Sequence, residues 1–245
     1  MKKIIVASLL IALLSCAVLF AEDEENKTVQ FEGTQDTLVD SVLALGGYEF
    51  DYAKGMFWDE RISKSREYSN KAGGFGFSTA VNFDLSAIPH FLKKGWYCLV
   101  DLGFFFPQKV TLLDITYPLD GTETISKLGI KSHVVLTHYF NFGFPIDFYF
   151  GAGFAYSQFS VKNKTADVNE TYNGTASTMG LALFAEADYK FGSHFAVTLI
   201  VNPDITFATR SETALNSNGY IRLEKQTSSG FGVGVSVRAG LKYIV

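Results

Sequence analysis

From Val39 onward the chain alternates apolar residues with small or polar ones, the period-two signature of strands with two unlike faces. The last stretch shows this most clearly. Phe231, Val233, Val235, Val237, Ala239, Leu241, Tyr243 and Val245 share one face. Gly230, Gly232, Gly234, Ser236, Arg238, Gly240 and Lys242 share the other. Phe75, Phe77, Thr79, Val81, Phe83 and Leu85 repeat the pattern, as do Trp96, Cys98, Val100, Leu102, Phe104 and Phe106. Similar alternation runs through 39–52, 127–141, 145–160, 176–190 and 194–210, which predicts eight strands. The odd-numbered connections are long, near 53–72, 107–126, 161–176 and 211–228. The others are shorter: Ser86 to Lys94, Phe142 to Phe144, and Phe191 to Ser193.

Alternation alone does not say which face is inside. A soluble barrel keeps large apolar residues in and charge out; a membrane barrel inverts the arrangement. Here the ring-rich face is nearly free of charge. The opposite face mixes Gly, Ser and Ala with Glu49, Asp51, Asp84, Asp101, Lys131, Asp147, Glu186, Asp188, Arg210, Arg238 and Lys242. Small and charged residues suit the interior of a narrow barrel, and rings at both strand ends suit two membrane interfaces. Lipid tolerates no open sheet edge, so the sheet must close. The expectation is an all-β chain, an eight-stranded antiparallel transmembrane β-barrel with long external hairpin loops and short periplasmic turns. Asp120-Gly121, Asn173-Gly174 and Asn218-Gly219 read as the turns of those hairpins, because such pairs supply positive φ.

Composition agrees with this class and excludes others. The 245 residues are 47% hydrophobic, 15% aromatic and only 19% charged, too apolar for disorder. Met1-Lys2-Lys3 and the apolar run Ile4 to Phe20 read as a secretory signal peptide, 1–21, cleaved after Ala21 or Ala17. An uncleaved membrane anchor and lipidation of Cys16 are the alternatives. The acidic stretch 22–38 reads as a periplasmic tether, and 39–245 as the barrel. Without the leader, 19 Lys and Arg face 25 Asp and Glu, a net charge of −6. No basic stripe remains for nucleic acid. Cys98 is then the sole cysteine, so no intramolecular disulfide forms, and a bacterial envelope is the better setting.

The architecture and the final strand resemble the small eight-stranded outer-membrane barrels of the OmpA, OmpX and OmpW type, over about 39–245. The resemblance implies insertion by a barrel-assembly machinery that reads the last strand. Val237, Ala239, Leu241, Tyr243 and Val245 hold its alternate positions, with Val245 where the family ends in an aromatic. It also implies outer-membrane localisation with both termini periplasmic and outer-membrane lipid as the immediate partner.

No enzyme chemistry assembles in this pattern. His90 and His194 fall at short turns, and His133 and His138 differ in parity, so they face opposite sides of their strand. Catalytic, cofactor-binding and metal residues are therefore expected to be none, and cofactors none. The inward charges read as a structural network. Arg238, given room by Gly234 and Gly240, and Lys242 are expected near Asp84, Asp101, Asp147, Glu186 and Asp188. Glu49 and Asp51 are expected near Lys131 and Arg210. Phe57, Trp58 and Arg61 in the first loop form the most contact-like surface cluster, for a ligand the chain does not name. The functional expectation is a non-enzymatic integral barrel with a structural or surface-interaction role. The alternative is OmpW-like passive transport of small apolar compounds.

Overall fold

A computed structural model of the chain describes residues 38–59, 64–88, 92, 94–112, 115–117, 122–143, 145–165, 171–217, 220–228 and 230–245. The alternating segments form antiparallel strands. They are β1 (Val39–Asp59), β2 (Lys64–Asp84), β3 (Trp96–Leu112), β4 (Ile115–Tyr117), β5 (Thr122–Phe140), β6 (Ile146–Thr165), β7 (Thr171–Lys190), β8 (Phe195–Ser217), β9 (Tyr220–Ser228) and β10 (Phe231–Ile244). Eight of them close a ring in the order β1-β2-β3-β5-β6-β7-β8-β10. β10 completes it by pairing with β8 from Gly232↔Thr206 to Tyr243↔Phe195, and with β1 from Ser41↔Ile244 to Lys54↔Phe231. β4 and β9 are hairpin partners of β3 and β8. Closure satisfies the backbone groups that an open edge would leave bare in lipid.

Side chains sort as their parity requires. In β10, Gly232, Gly234, Ser236, Arg238 and Lys242 are buried, while Phe231, Val233, Val237, Leu241 and Tyr243 are exposed. The buried face is the polar and small one, and the exposed face is apolar. On β3 the outward run from Trp96 to Phe106 spans ten steps of about 3.3 Å, or about 25 Å of height at the usual barrel tilt. Phe140, Tyr189, Phe195 and Tyr243 expose rings toward the short-turn rim, and Phe75, Phe106, Phe207 and Phe231 toward the hairpin end.

The connections are shorter than the alternation suggests, because the strands continue. Ring strands run from 14 to 23 residues, whereas a tilted membrane strand needs about 9–11. Ladder pairing reaches Trp58↔Ser65 and Asp59↔Lys64, so four residues join β1 to β2. Asn173-Gly174 is not a turn: the two residues sit in β7, opposite Lys162 and Val161, and the connection is 166–170. Gly174 is buried there, and a Cβ on it would meet the Cδ1 of Leu112. Ser217 pairs with Tyr220, so Asn218-Gly219 is a two-residue connection, though its own residues lie outside the described ones, as does Asp120-Gly121. At the other end, the short turns hold Gly95, Gly143 and Gly192 at φ +90°, +78° and +88°, a backbone region that favours glycine.

The ladders shift register at Val39/Ser41, Gly73/Gly74, Thr124/Ser126 and Met179/Gly180, and the second and fourth shifts shape the lumen. Gly73 and Gly74 oppose Lys109 and Pro107, leaving Gln108 as an extra residue, and Phe207 is extra between Met179↔Ala208 and Gly180↔Thr206. Each bulge flips the faces beyond it. A third feature is Pro203, where the β7–β8 ladder skips two pairs because proline carries no N–H.

Cys98 tests the assignment of faces. It shares the outward parity of Trp96 and Val100 and lies between Phe83 and Leu136 on the neighbouring strands. In intact membranes a water-soluble maleimide is expected to leave Cys98 unmodified, and to label it fully after unfolding. Rapid labelling of the inserted barrel would reverse inside and outside.

Candidate functional site

An eight-stranded ring encloses a space that side chains can fill. In this chain they fill it in layers. Toward the short-turn rim, Leu43, Leu45, Leu99, Val135, Tyr149, Phe184 and Ile200 anchor one buried apolar cluster. Toward the hairpin end, Ala72, Phe105, Val110, Leu112, Phe159, Val161 and Ala176 form a second. Between them lies a belt of charge.

The charges of that belt come from five strands. Lys131 of β5 reaches Asp204 at 2.6 Å, Asp51 at 3.1 Å and Glu49 at 3.9 Å. Arg238 of β10 donates to Asp101 Oδ2 at 2.6 Å, Ser78 Oγ at 2.8 Å and Asn202 Oδ1 at 3.0 Å. Its Nε lies 3.5 Å from Glu49 Oε1. His133 sits between two carboxylates, with Nδ1 2.7 Å from Asp101 and Nε2 3.4 Å from Asp204. Ser157 donates to Asp51 at 2.6 Å, and Ser236 donates to Glu49. Every one of these residues is buried. Charge is tolerated there because each ionic group meets an opposite charge and hydrogen-bonding neighbours. Gly234 makes the space, since a Cβ at that position would stand 2.7 Å from Asp51 Oδ1 and 3.0 Å from Lys131 Nζ.

A second ionic group lies nearer the short-turn rim. Lys242 Nζ donates to Glu186 Oε1 at 2.8 Å and Asp188 Oδ2 at 2.7 Å, and stands 4.4 Å from the Tyr149 ring centroid. Of the expected neighbours, Arg238 lies on Asp101, Lys131 on Asp51 and Glu49, and Lys242 on Glu186 and Asp188. The two expected groups are not separate, because Arg238 also reaches Glu49 and so joins the Lys131 group in the central belt.

Three expected lumen charges lie elsewhere. Arg210 is exposed, because the Phe207 bulge inverts parity and brings Ser211 inside instead. Asp84 ends β2 and accepts a hydrogen bond from Ser86 N at 2.8 Å, capping the 3-10 turn Leu85–Ala87. Asp147 sits half-buried at the short-turn rim, bound by Tyr139 Oη at 2.9 Å and by exposed Lys190 at 2.6 Å. Gly234 makes room for the Lys131 group, and the stem of Arg238 crosses Gly47, where a Cβ would lie 2.8 Å from its Cγ. His133 and Asp204 belong to the central belt and stand outside the expected network. Their parity with Lys131 and Asn202, two residues away on the same strands, is the signal that finds them.

The remaining candidates are on the outside. Val237, Leu241, Tyr243 and Val245 are exposed along β10. The backbone of Phe57 and Trp58 lies in β1 opposite Arg66 and Ser65, and Arg61 lies outside the described residues, as does His90. His138 faces outward between Trp96 and Phe140, with ring centroids 4.8 and 4.9 Å away. His194 stacks on Tyr243 at 6.0 Å.

No family model and no curated protein matches the chain. Solved structures do. A major outer membrane protein from Thermus thermophilus matches with a TM-score of 0.55 and 14% identity, over 82% of this chain and 99% of that one. The outer membrane protein OprG from Pseudomonas aeruginosa matches at TM-score 0.47 and 14% identity, over 87% and 99%. The outer membrane protease OmpT from Escherichia coli matches at 0.43 and 9%, over 89% and 100%. The closed ring, the inverted faces and the Thermus barrel together establish the fold as that of an outer-membrane β-barrel.

Proposed function

We propose that this chain is a non-enzymatic barrel of the bacterial outer membrane that acts through its projecting hairpins. One observation carries the reading: the lumen is occupied. Two apolar clusters and the belt of Glu49, Asp51, Asp101, Lys131, His133, Asp204 and Arg238 fill its cross-section, so the wall and hairpins are what the fold offers to partners. The exposed apolar face meets lipid, and the outward residues of β10 up to Tyr243 and Val245 are the segment for the barrel-assembly machinery. The short turns and the start of β1 share one rim, which this reading assigns to the periplasm. The hairpins then stand outside, and Phe57, Trp58 and Arg61 near the first tip are the residues for a surface ligand. His133 supports the absence of catalysis, because its carboxylate neighbours lie in the buried belt, beyond reach of a substrate.

The test has two arms. An epitope inserted in the 166–170 connection is expected to be detected on unpermeabilised cells, and one at Phe142-Gly143 only after permeabilisation. The purified barrel in a planar lipid bilayer is expected to stay silent. Surface detection at Gly143 would invert the topology, and discrete conductance steps would favour passive transport over surface interaction.

A further inference from the structure

A cavity of about 280 Å3 opens at the short-turn rim, below the apolar cluster that contains Tyr149. That volume is near the lower end of small-molecule sites, which run from about 300 Å3 upward. Its lining joins the edge of the core, through Tyr149 and Lys242, to groups at the rim. Tyr97, Tyr139 and Tyr149 form an aromatic corner, with Tyr149 5.5 Å from each of the other two ring centroids. Asp40 and Asp147 add carboxylates, and Lys190 and Lys242 complete the charged lining. Behind Lys242 lie Glu186 and Asp188, with Glu186 Oε2 and Asp188 Oδ1 buried and lacking hydrogen-bond partners. Counting these two behind the lining, four carboxylates stand against two ammonium groups, with Lys242 held by Glu186 and Asp188 and Lys190 by Asp147. Excess negative charge in a concave site with low-dielectric walls draws cations inward.

We propose that this vestibule binds a small organic ammonium ion. Its charge would lie among Asp40, Asp147 and the tyrosine faces, and its apolar body against the rings. The chain already shows the contact once, in the Lys242 ammonium 4.4 Å from the Tyr149 centroid. Ring faces attract cations through their quadrupole, and the attraction grows when water is excluded. Lys190, half exposed on Asp147, is the group an incoming cation displaces at little cost. The site lies outside the central belt and does not depend on which rim faces the periplasm.

The experiment uses the full chain in detergent micelles with isotope-labelled tyrosine. Choline is titrated at constant ionic strength, beside its neutral isostere 3,3-dimethyl-1-butanol and beside acetate. Choline is expected to shift the Tyr97, Tyr139 and Tyr149 ring resonances saturably, while the alcohol and acetate do not. Asp147→Asn keeps the shape of the rim and is expected to weaken choline about fivefold, the scale of one ion–ring or ion–ion contact. Tyr97→Leu is expected to weaken it similarly, with the folded band on gels retained. Equal shifts from the alcohol would reduce the site to an apolar crevice and overturn the proposal. So would saturable shifts from acetate, which would make Lys190 and Lys242 an anion site, or an unchanged affinity in Asp147→Asn.

Discussion

Replacing Arg238 by methionine is expected to cost the folded barrel about 3–5 kcal/mol, the usual penalty for removing one partner of a buried ion pair. Methionine approximates the bulk of the arginine stem, so cavity formation contributes little. What changes is the charge balance. Glu49, Asp51, Asp101 and Asp204 now face Lys131, His133 and Arg238; in the variant they face Lys131 and His133 alone. Asp101 suffers most, since it loses its 2.6 Å guanidinium contact in a site closed to water. Folded barrels of this size resist detergent and migrate apart from the unfolded chain unless heated, so the loss can be read as a lower conversion temperature. Adding Asp101→Asn to Arg238→Met is expected to restore part of it. Asparagine removes the stranded charge and can still accept the hydrogen bond from His133 Nδ1, which lies 2.7 Å from the carboxylate. A single variant that converts at the parental temperature would make the belt a set of independently satisfied groups.

Most of this interior was legible as a list of inward residues and only in part as a set of partners. Parity names Glu49, Asp101, Lys131 and Arg238 as sharing a face within their strands. It carries no height, because each strand of a tilted barrel is staggered against the next. Counting along strands therefore groups Arg238 with Asp101, Glu186 and Asp188; the ring leaves it on Asp101, gives the other two to Lys242, and adds Glu49 from the other half. Arg210 fails for a different reason. One extra residue at Phe207 is invisible in a smooth alternation, yet it turns Arg210 outward and Ser211 inward. Asp84 and Asp147 continue the inward register of their strands, but strand ends need caps and rims are wet, so both serve the turn region instead. Asn173-Gly174 looks like a hairpin turn by residue type alone. The uninterrupted pairing of β6 and β7 overrides that local preference, and the glycine answers to Leu112 across the lumen.

The second large effect is expected at Gly129, where strand propensity and packing point in opposite directions. Phe105 and Gly129 form the last pair of the β3–β5 ladder; beyond it β3 turns to pair with β4. The Phe105 ring is fully buried and lies across Gly129, so that a Cβ there would meet its Cε1, Cζ and Cδ1 atoms. Valine ordinarily improves a strand over glycine, by up to about 1 kcal/mol. At this position its branched side chain enters the ring itself. Either the ring stays and the wall shifts, an overpacking cost of about 1–3 kcal/mol, or the ring leaves its cluster with Val110, Leu112 and Phe159. Complete loss of a buried phenylalanine costs about 3–5 kcal/mol. Gly129→Val is therefore expected to lower the conversion temperature of the folded band despite its favourable propensity. Phe105→Leu alone is expected to be destabilising as well, because it empties part of the cluster. Combined, the two should be less harmful than their sum, since the smaller side chain frees the volume the valine needs. Strict additivity in that double-mutant cycle would separate Gly129 from Phe105, and with it the account of how the wall is sealed where the ladder ends.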